Sequence, residues 1–142
     1  MKDEILKNKI VDVLKRSSLA AVATVREGNP WVRYMMIMQG SGLSLWTTTF
    51  AESRKIQDIK KNKNIDLIVG GDEKNFQAPY INIQASAEVF TDIKTKKSYW
   101  NDMLKSWYSG PEDPNLAIII ISPRVIEYMG GDSMTPEVYI VE

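Results

Sequence analysis

The chain has 142 residues, 18 basic and 18 acidic side chains, and neither cysteine nor histidine. The missing types exclude disulfides, thiolate nucleophiles, zinc–thiolate centres and a Ser-His-Asp triad, and they remove the usual general base and the usual transition-metal ligand. Net neutrality gives no case for nucleic-acid binding, no apolar run reaches the roughly 18 residues of a membrane span, and the charged opening Met1-Lys2-Asp3-Glu4 is no signal peptide, so the cytoplasm is the expected location.

The length predicts one domain over residues 1–142, and the hydrophobic content of 44% suits a soluble globular protein. Residues 2–17 carry Ile5, Leu6, Ile10, Val13 and Leu14 at helical spacing and predict a packing helix. Leu19 to Arg26 is a small apolar strand, Glu27 to Pro30 a turn, and Trp31 to Gln39 a second strand, so the two predict an antiparallel hairpin. Gln39 to Gly42 is another turn, leading into Leu43 to Thr48, and three successive strands predict a meander. Alternation puts Trp31, Arg33, Met35 and Ile37 on one face of the second strand. Arg33 therefore sits among apolar neighbours, and it must pair with a carboxylate, snorkel to water or hold an anionic ligand.

The stretch Trp46 to Lys55 is the most informative in the chain. Four hydroxyls, Thr47, Thr48, Thr49 and Ser53, precede two cations, Arg54 and Lys55, at the start of a helix predicted over Ser53 to Asn62. Hydroxyls, free N–H groups at a helix start and adjacent positive charge are what a phosphate needs. A Ser N-cap on a basic surface helix explains the same ten residues, and both readings stand. Lys60 and Lys61 read as a solvated face.

Ile65 to Val69 is a short buried strand ended by Gly70-Gly71, and Asp72 to Ala78 a polar loop. Pro79 to Phe90 alternates, with Ile81, Ile83, Ala85, Ala87 and Val89 on one face and Tyr80, Asn82, Gln84, Ser86 and Glu88 on the other. Lys94 to Tyr108 predicts one helix whose Tyr99, Trp100, Met103, Leu104 and Trp107 face the core. A rigid Gly110-Pro111-Glu112-Asp113-Pro114 loop follows, then a buried strand Leu116 to Ile121, and then extended segments Val125 to Met129 and Val138 to Val141 separated by Gly130-Gly131. The sum is mainly β: a six- to seven-stranded antiparallel barrel with peripheral helices.

Three segments together resemble the FMN-binding split barrels related to pyridoxamine 5′-phosphate oxidase, and most closely their short bacterial general stress protein branch. They are Arg33-Tyr34-Met35; Thr48-Thr49-Phe50-Ala51-Glu52-Ser53-Arg54-Lys55; and the Trp-rich segment from Trp100 through the Gly110–Pro114 loop to Glu127-Tyr128. The likeness runs from about residue 5 to about residue 130. The resemblance implies an antiparallel split β-barrel that forms a homodimer with FMN in a groove at the interface. It implies that Arg33 and Lys55 hold the phosphate with Ser53, Arg54 and Thr49. It places Tyr34, Met35 and Met36 beside the ribityl chain and ring, Thr47 and Thr48 near the ring edge, Trp107 near the open ring face, and Tyr80 where a partner subunit reaches the flavin.

The chain also departs from the oxidases. Its strand Arg33-Tyr34-Met35-Met36-Ile37-Met38 has no terminal Lys, Tyr128-Met129 stands where the stress proteins often have Tyr-Trp, and no oxidase-type tail precedes Glu142. True pyridoxamine-phosphate oxidation is therefore not expected. The expectation is a flavin-dependent oxidoreductase with a small-molecule redox substrate. A flavin carrier or sensor without turnover and a cofactor-free interaction barrel are the alternatives. No catalytic residue and no metal site are assigned.

Overall fold

A computed structural model describes residues 2–131 and 133–141. Met1, which opens the charged stretch read above, and the final Glu142 lie outside it. The elements are α1 (Lys2–Arg16), β1 (Leu19–Arg26), β2 (Asn29–Met36), β3 (Met38–Gln39), β4 (Leu45–Phe50), α2 (Arg54–Lys61), β5 (Asn64–Gly70), β6 (Tyr80–Phe90), α3 (Ile93–Tyr99), a 3₁₀ turn (Asp102–Ser106), β7 (Leu116–Met129) and β8 (Glu137–Ile140).

All strand pairings are antiparallel, in the order β2-β1-β5-β6-β7-β4-β3, with β8 added to β7. The first and last strands of that path, β2 and β3, are one stretch of chain broken only at Ile37. A path whose two ends are covalently continuous must curl into a barrel. This is the mainly β, split-barrel architecture expected from the sequence, with the helices at its periphery.

The interior is filled by the inward-facing residues of the long strands, including Ile81, Ile83, Ala85, Ile121 and Ile126, with Leu6, Ile10, Val13 and Leu14 of α1 in the same cluster. Ile5, read as part of the apolar stripe, instead lies 60% exposed. The β1–β2 hairpin turns on Glu27 and Gly28, both at positive φ, a conformation matched to the twist of the flanking strands. Gly70 is also obligatory: its φ is +95° and an added Cβ would lie 2.8 Å from the Pro79 carbonyl oxygen.

Several boundaries differ from the sequence reading. The segments expected as two strands around Pro123 are one 14-residue strand, β7. A register shift between Gln84 and Ala85 of β6 accommodates Pro123, whose missing N–H a bulge tolerates. The expected helix Lys94–Tyr108 is two pieces. Trp100 adopts extended backbone angles, and the Asn101 side chain accepts the Met103 N–H at 3.0 Å and caps a separate 3₁₀ turn. The expected meander holds only in part: β1 pairs β2, and Met38–Gln39 at the end of the expected second strand pairs with β4, but β4 then leaves β2 and pairs with β7 along its whole length.

Candidate functional site

That departure opens the barrel wall. β3 pairs with β4 only at Met38–Trp46 and Gln39–Leu45. Beyond those pairs, β2 has strand β1 on one side only, and Thr47–Phe50 has only β7. Backbone direction alternates along a strand, so the pairing partners on the closed sides identify the groups on the open sides. The Ile37 N–H donates to Ser18 O, which turns the amides of Arg33 and Met35 toward β1 and those of Tyr34 and Met36 into the gap. On β4 the Ala51 N–H donates to Asn115 O, which leaves the amides of Thr48 and Phe50 facing the gap. At the apex the Thr47 hydroxyl donates to the Met36 carbonyl at 2.6 Å and bridges the two lips.

A cleft of about 280 Å³ occupies this split. Its lips are Tyr34, Met35, Met36 and Met38 on one side and Thr47 to Phe50 on the other. Lys55 lies at its floor, and Met103, Leu104, Trp107 and Tyr108 form a third wall. Thr47 and Thr48, expected at the end of a strand, and Thr49 beyond it all lie within β4, which reaches Phe50.

Lys55 reaches the site from the first turn of α2. Its ammonium donates to Ser53 Oγ at 2.7 Å and to Thr49 Oγ1 at 2.9 Å. Burial, reinforced by the nearby Arg33 charge, holds its pKa below the ordinary lysine value. Ser53 does sit at the N-cap position of α2, but its side chain makes no capping bond. Its hydroxyl accepts from Lys55 instead, so Ser53 is not the plain helix cap that one of the two readings made it. Arg54 is exposed on the same turn.

Arg33 is more constrained. Its guanidinium donates to Thr24 Oγ1 at 2.8 Å and to the carbonyls of Trp31 and Val22, and lies 3.8 Å from the Asp58 carboxylate. Asp58 is itself buried at 7% exposure and takes three bonds from Arg26, at 3.0 and 3.2 Å from Nε and 2.8 Å from a terminal nitrogen. The Arg26 bond is the main reason its carboxyl stays below the usual carboxylate range. Burial lowers the Arg33 pKa, and Asp58 opposes that effect. So the carboxylate reading of Arg33 holds, while Arg26, Arg33, Arg54 and Lys55 have one carboxylate, Asp58, within 4.0 Å among the described residues.

Of the residues expected at a cofactor site, Tyr34, Met35, Met36, Thr47, Thr48, Thr49, Lys55 and Trp107 line the cleft, and Ser53 contacts it through Lys55. Arg33 and Arg54 lie beside Lys55 without lining it. Tyr80 does not reach it: it begins β6 opposite Gly70 and Met129, away from the split. Trp31, expected on one face with Arg33, Met35 and Ile37, is 44% exposed, and Arg26 stacks over its ring at 4.3 Å. Trp107 and Met103, read as core-facing, are 52% and 46% exposed, because the 3₁₀ turn rotates them to the cleft while Leu104 and Tyr108 pack inward. The sequence reading missed Asp58, Phe50, Met38 and Tyr108. Asp58 had a signal: it is the lone acid of a basic helix, one residue before Ile59 on the buried side.

The described residues contain no cluster of three or more His, Cys, Asp or Glu able to hold a metal, and no helix among them is long and apolar enough to cross a membrane.

The structure defines a half-open antiparallel barrel whose split holds a largely apolar cleft with three threonines and one lysine in its lining. Comparison with known proteins gives the family. The family described as pyridoxamine 5′-phosphate oxidase like matches residues 6–137, and this chain belongs to it. The chain is 32% identical to general stress protein 26 of Bacillus subtilis over 136 residues, 96% of each chain. It superposes on the crystal structure of general stress protein 26 from Bacillus anthracis with a TM-score of 0.78 at 31% identity, covering 96% of this chain and 98% of that one. A protein related to general stress protein 26 from Clostridium acetobutylicum shares the fold with a TM-score of 0.83 at 21% identity, over 97% and 96% of the two chains.

Proposed function

We propose that the chain binds FMN in the split and acts as a flavin-dependent oxidoreductase in a homodimer. One observation carries the reading: two lips with free backbone groups converge on Lys55, a cation with no carboxylate within 4.0 Å among the described residues, while the nearby Asp58 is already taken by Arg26 and Arg33. An anionic ligand with a long, amphipathic body fits that arrangement. A phosphate would supply the charge that Lys55 and Arg54 lack and would add to that of Asp58 at Arg33, with Ser53 and Thr49 as hydroxyl partners. Because Asp58 already engages Arg33, Lys55 is the stronger phosphate ligand of the two.

The body of the ligand would run between Tyr34, Met35 and Met36 and the Thr47–Phe50 lip, with Thr48 at the ring edge and Trp107 at the open face. Flavin, when bound, supplies the redox chemistry, and that chemistry requires neither His nor Cys from the protein. The residues of this chain would bind the phosphate, orient the ring and exclude water from one of its faces.

The homodimer rests on two observations. The cleft's 280 Å³ is at the small end for a cofactor site, which suits a groove completed by a second copy. The outer face beside it is apolar: Leu19, Val32, Tyr34, Met36 and Ile68 are each at least 43% exposed, and they are cross-strand neighbours on β2, β1 and β5. In that arrangement Tyr80 would serve the partner's cleft.

The test is the absorbance spectrum of the purified protein, before and after adding FMN and desalting, with mass spectrometry of whatever is released. The expected result is retained flavin absorbance and the mass of FMN. Colourless protein that fails to retain added FMN refutes the proposal.

A further inference from the structure

The hydroxyls of the three cleft threonines and of Tyr108 can be followed one by one. The Thr47 hydroxyl is committed to Met36 O, and the Thr49 hydroxyl to Lys55. Thr48 and Tyr108 have only each other, with the Tyr108 hydroxyl donating at 3.4 Å, the weak end of the hydrogen-bond range. A better acceptor entering the cleft would take that donor.

Tyr108 is otherwise immobilised. Its ring packs against Phe50 with centroids 5.4 Å apart and joins the cluster of Leu104 and Leu116. Its own N–H donates to Leu104 O at 3.0 Å, and the next N–H, of Ser109, donates to the Asp113 carboxylate at 2.9 Å. The Gly110–Pro114 loop is in turn pinned by Lys96, which is 4% exposed and donates to the Asp113 carbonyl at 2.8 Å. A buried lysine spent on a loop carbonyl is unusual, and here it fixes the segment that carries Tyr108. Burial also pushes the phenol up, so it remains a neutral donor. A donor fixed on every side but its hydroxyl loses little freedom on binding.

We infer that Tyr108, with Thr48, is a specificity-determining residue of the cleft, whose hydroxyl hydrogen-bonds a carbonyl oxygen or ring nitrogen on the edge of the bound planar ring. The inference rests on the flavin reading and deepens it by assigning the contact that reads the ring, whereas Lys55 reads the phosphate.

Tyr108→Phe keeps the packed ring and removes only the hydroxyl. Dissociation constants for FMN and riboflavin, and the visible absorption bands of bound FMN, are measured for wild type and variant. Both flavins should weaken by the same factor, about 3- to 10-fold for one lost hydrogen bond, and the bands should shift. Wild type that binds FMN, with a variant whose constants and bands are unchanged or whose loss is confined to FMN, overturns the role of Tyr108 and leaves the flavin reading intact. Wild type that takes up neither flavin overturns both.

Discussion

The closed wall formed by β5, β6 and β7 and the split between β2 and β4 use the same antiparallel strands to opposite ends. In the wall every strand has at least two neighbours, and the inward side chains are buried Ile, Leu, Val and Ala, with Leu67, Ile83 and Ile126 at 0–1% exposure. In the split each lip lacks one neighbour, and the side chains are threonines, methionines and a lysine with no carboxylate within 4.0 Å among the described residues. The contrast teaches that packing is concentrated where pairing is complete, and that unpaired backbone groups and an unpaired cation gather where it is left open. A fold can keep unpaired backbone and an uncompensated ammonium on one side because its core is closed on the other.

The contrast breaks most visibly in the wall. Ile83→Ala removes a fully buried side chain and should cost about 2–5 kcal/mol in chemical denaturation, while leaving the affinity of the folded protein for FMN unchanged. Asp58→Ala comes next, because it strips the charge-assisted bonds from Arg26 and the nearby carboxylate from Arg33. A loss of about 1.5–3 kcal/mol in the same assay is expected.

The pH dependence of Asp58 has a definite sign. Its folded pKa lies below its unfolded value, so its contribution to stability is complete above about pH 4, the unfolded carboxylate range, and is lost as pH falls through the folded value. Asp58→Asn should flatten that acid limb of the stability curve. An unchanged limb would show that the Arg26–Asp58 pair is not what titrates. At the bottom of the scale, Ser53→Ala should cost the apo protein under about 0.5 kcal/mol, less than the loss of a working N-cap, because its hydroxyl serves Lys55 and not the helix. A loss of 1 kcal/mol or more would restore the capping role.

Much of the fold was legible from period and punctuation. Alternation in Pro79–Phe90 located β6 and its buried face, because a half-buried strand writes its two faces directly into the sequence. The site was legible in part: hydroxyls and cations clustered in sequence mark Lys55, Thr49 and Ser53, which the fold does bring together. What stayed hidden depended on partners distant in sequence. Asp58 meets Thr24 and Arg26 across more than 30 positions, and Tyr108 meets Thr48 across 60. The break at Trp100 was hidden for a different reason. Aromatic spacing alone suits one continuous helix, and an extended residue followed by an Asn cap redirects Met103 and Trp107 to the cleft.

The most direct test of the open side is an FMN titration of wild type and Lys55→Ala, followed by flavin fluorescence, with apo stability measured in parallel. Lys55 is a desolvated cation bonded only to hydroxyls, so its removal should weaken FMN binding by about 10- to 100-fold, the value of one charge-assisted hydrogen bond, without lowering apo stability. Equal FMN affinity in the two proteins, or a variant that loses stability and keeps its affinity, would contradict a phosphate site in the split.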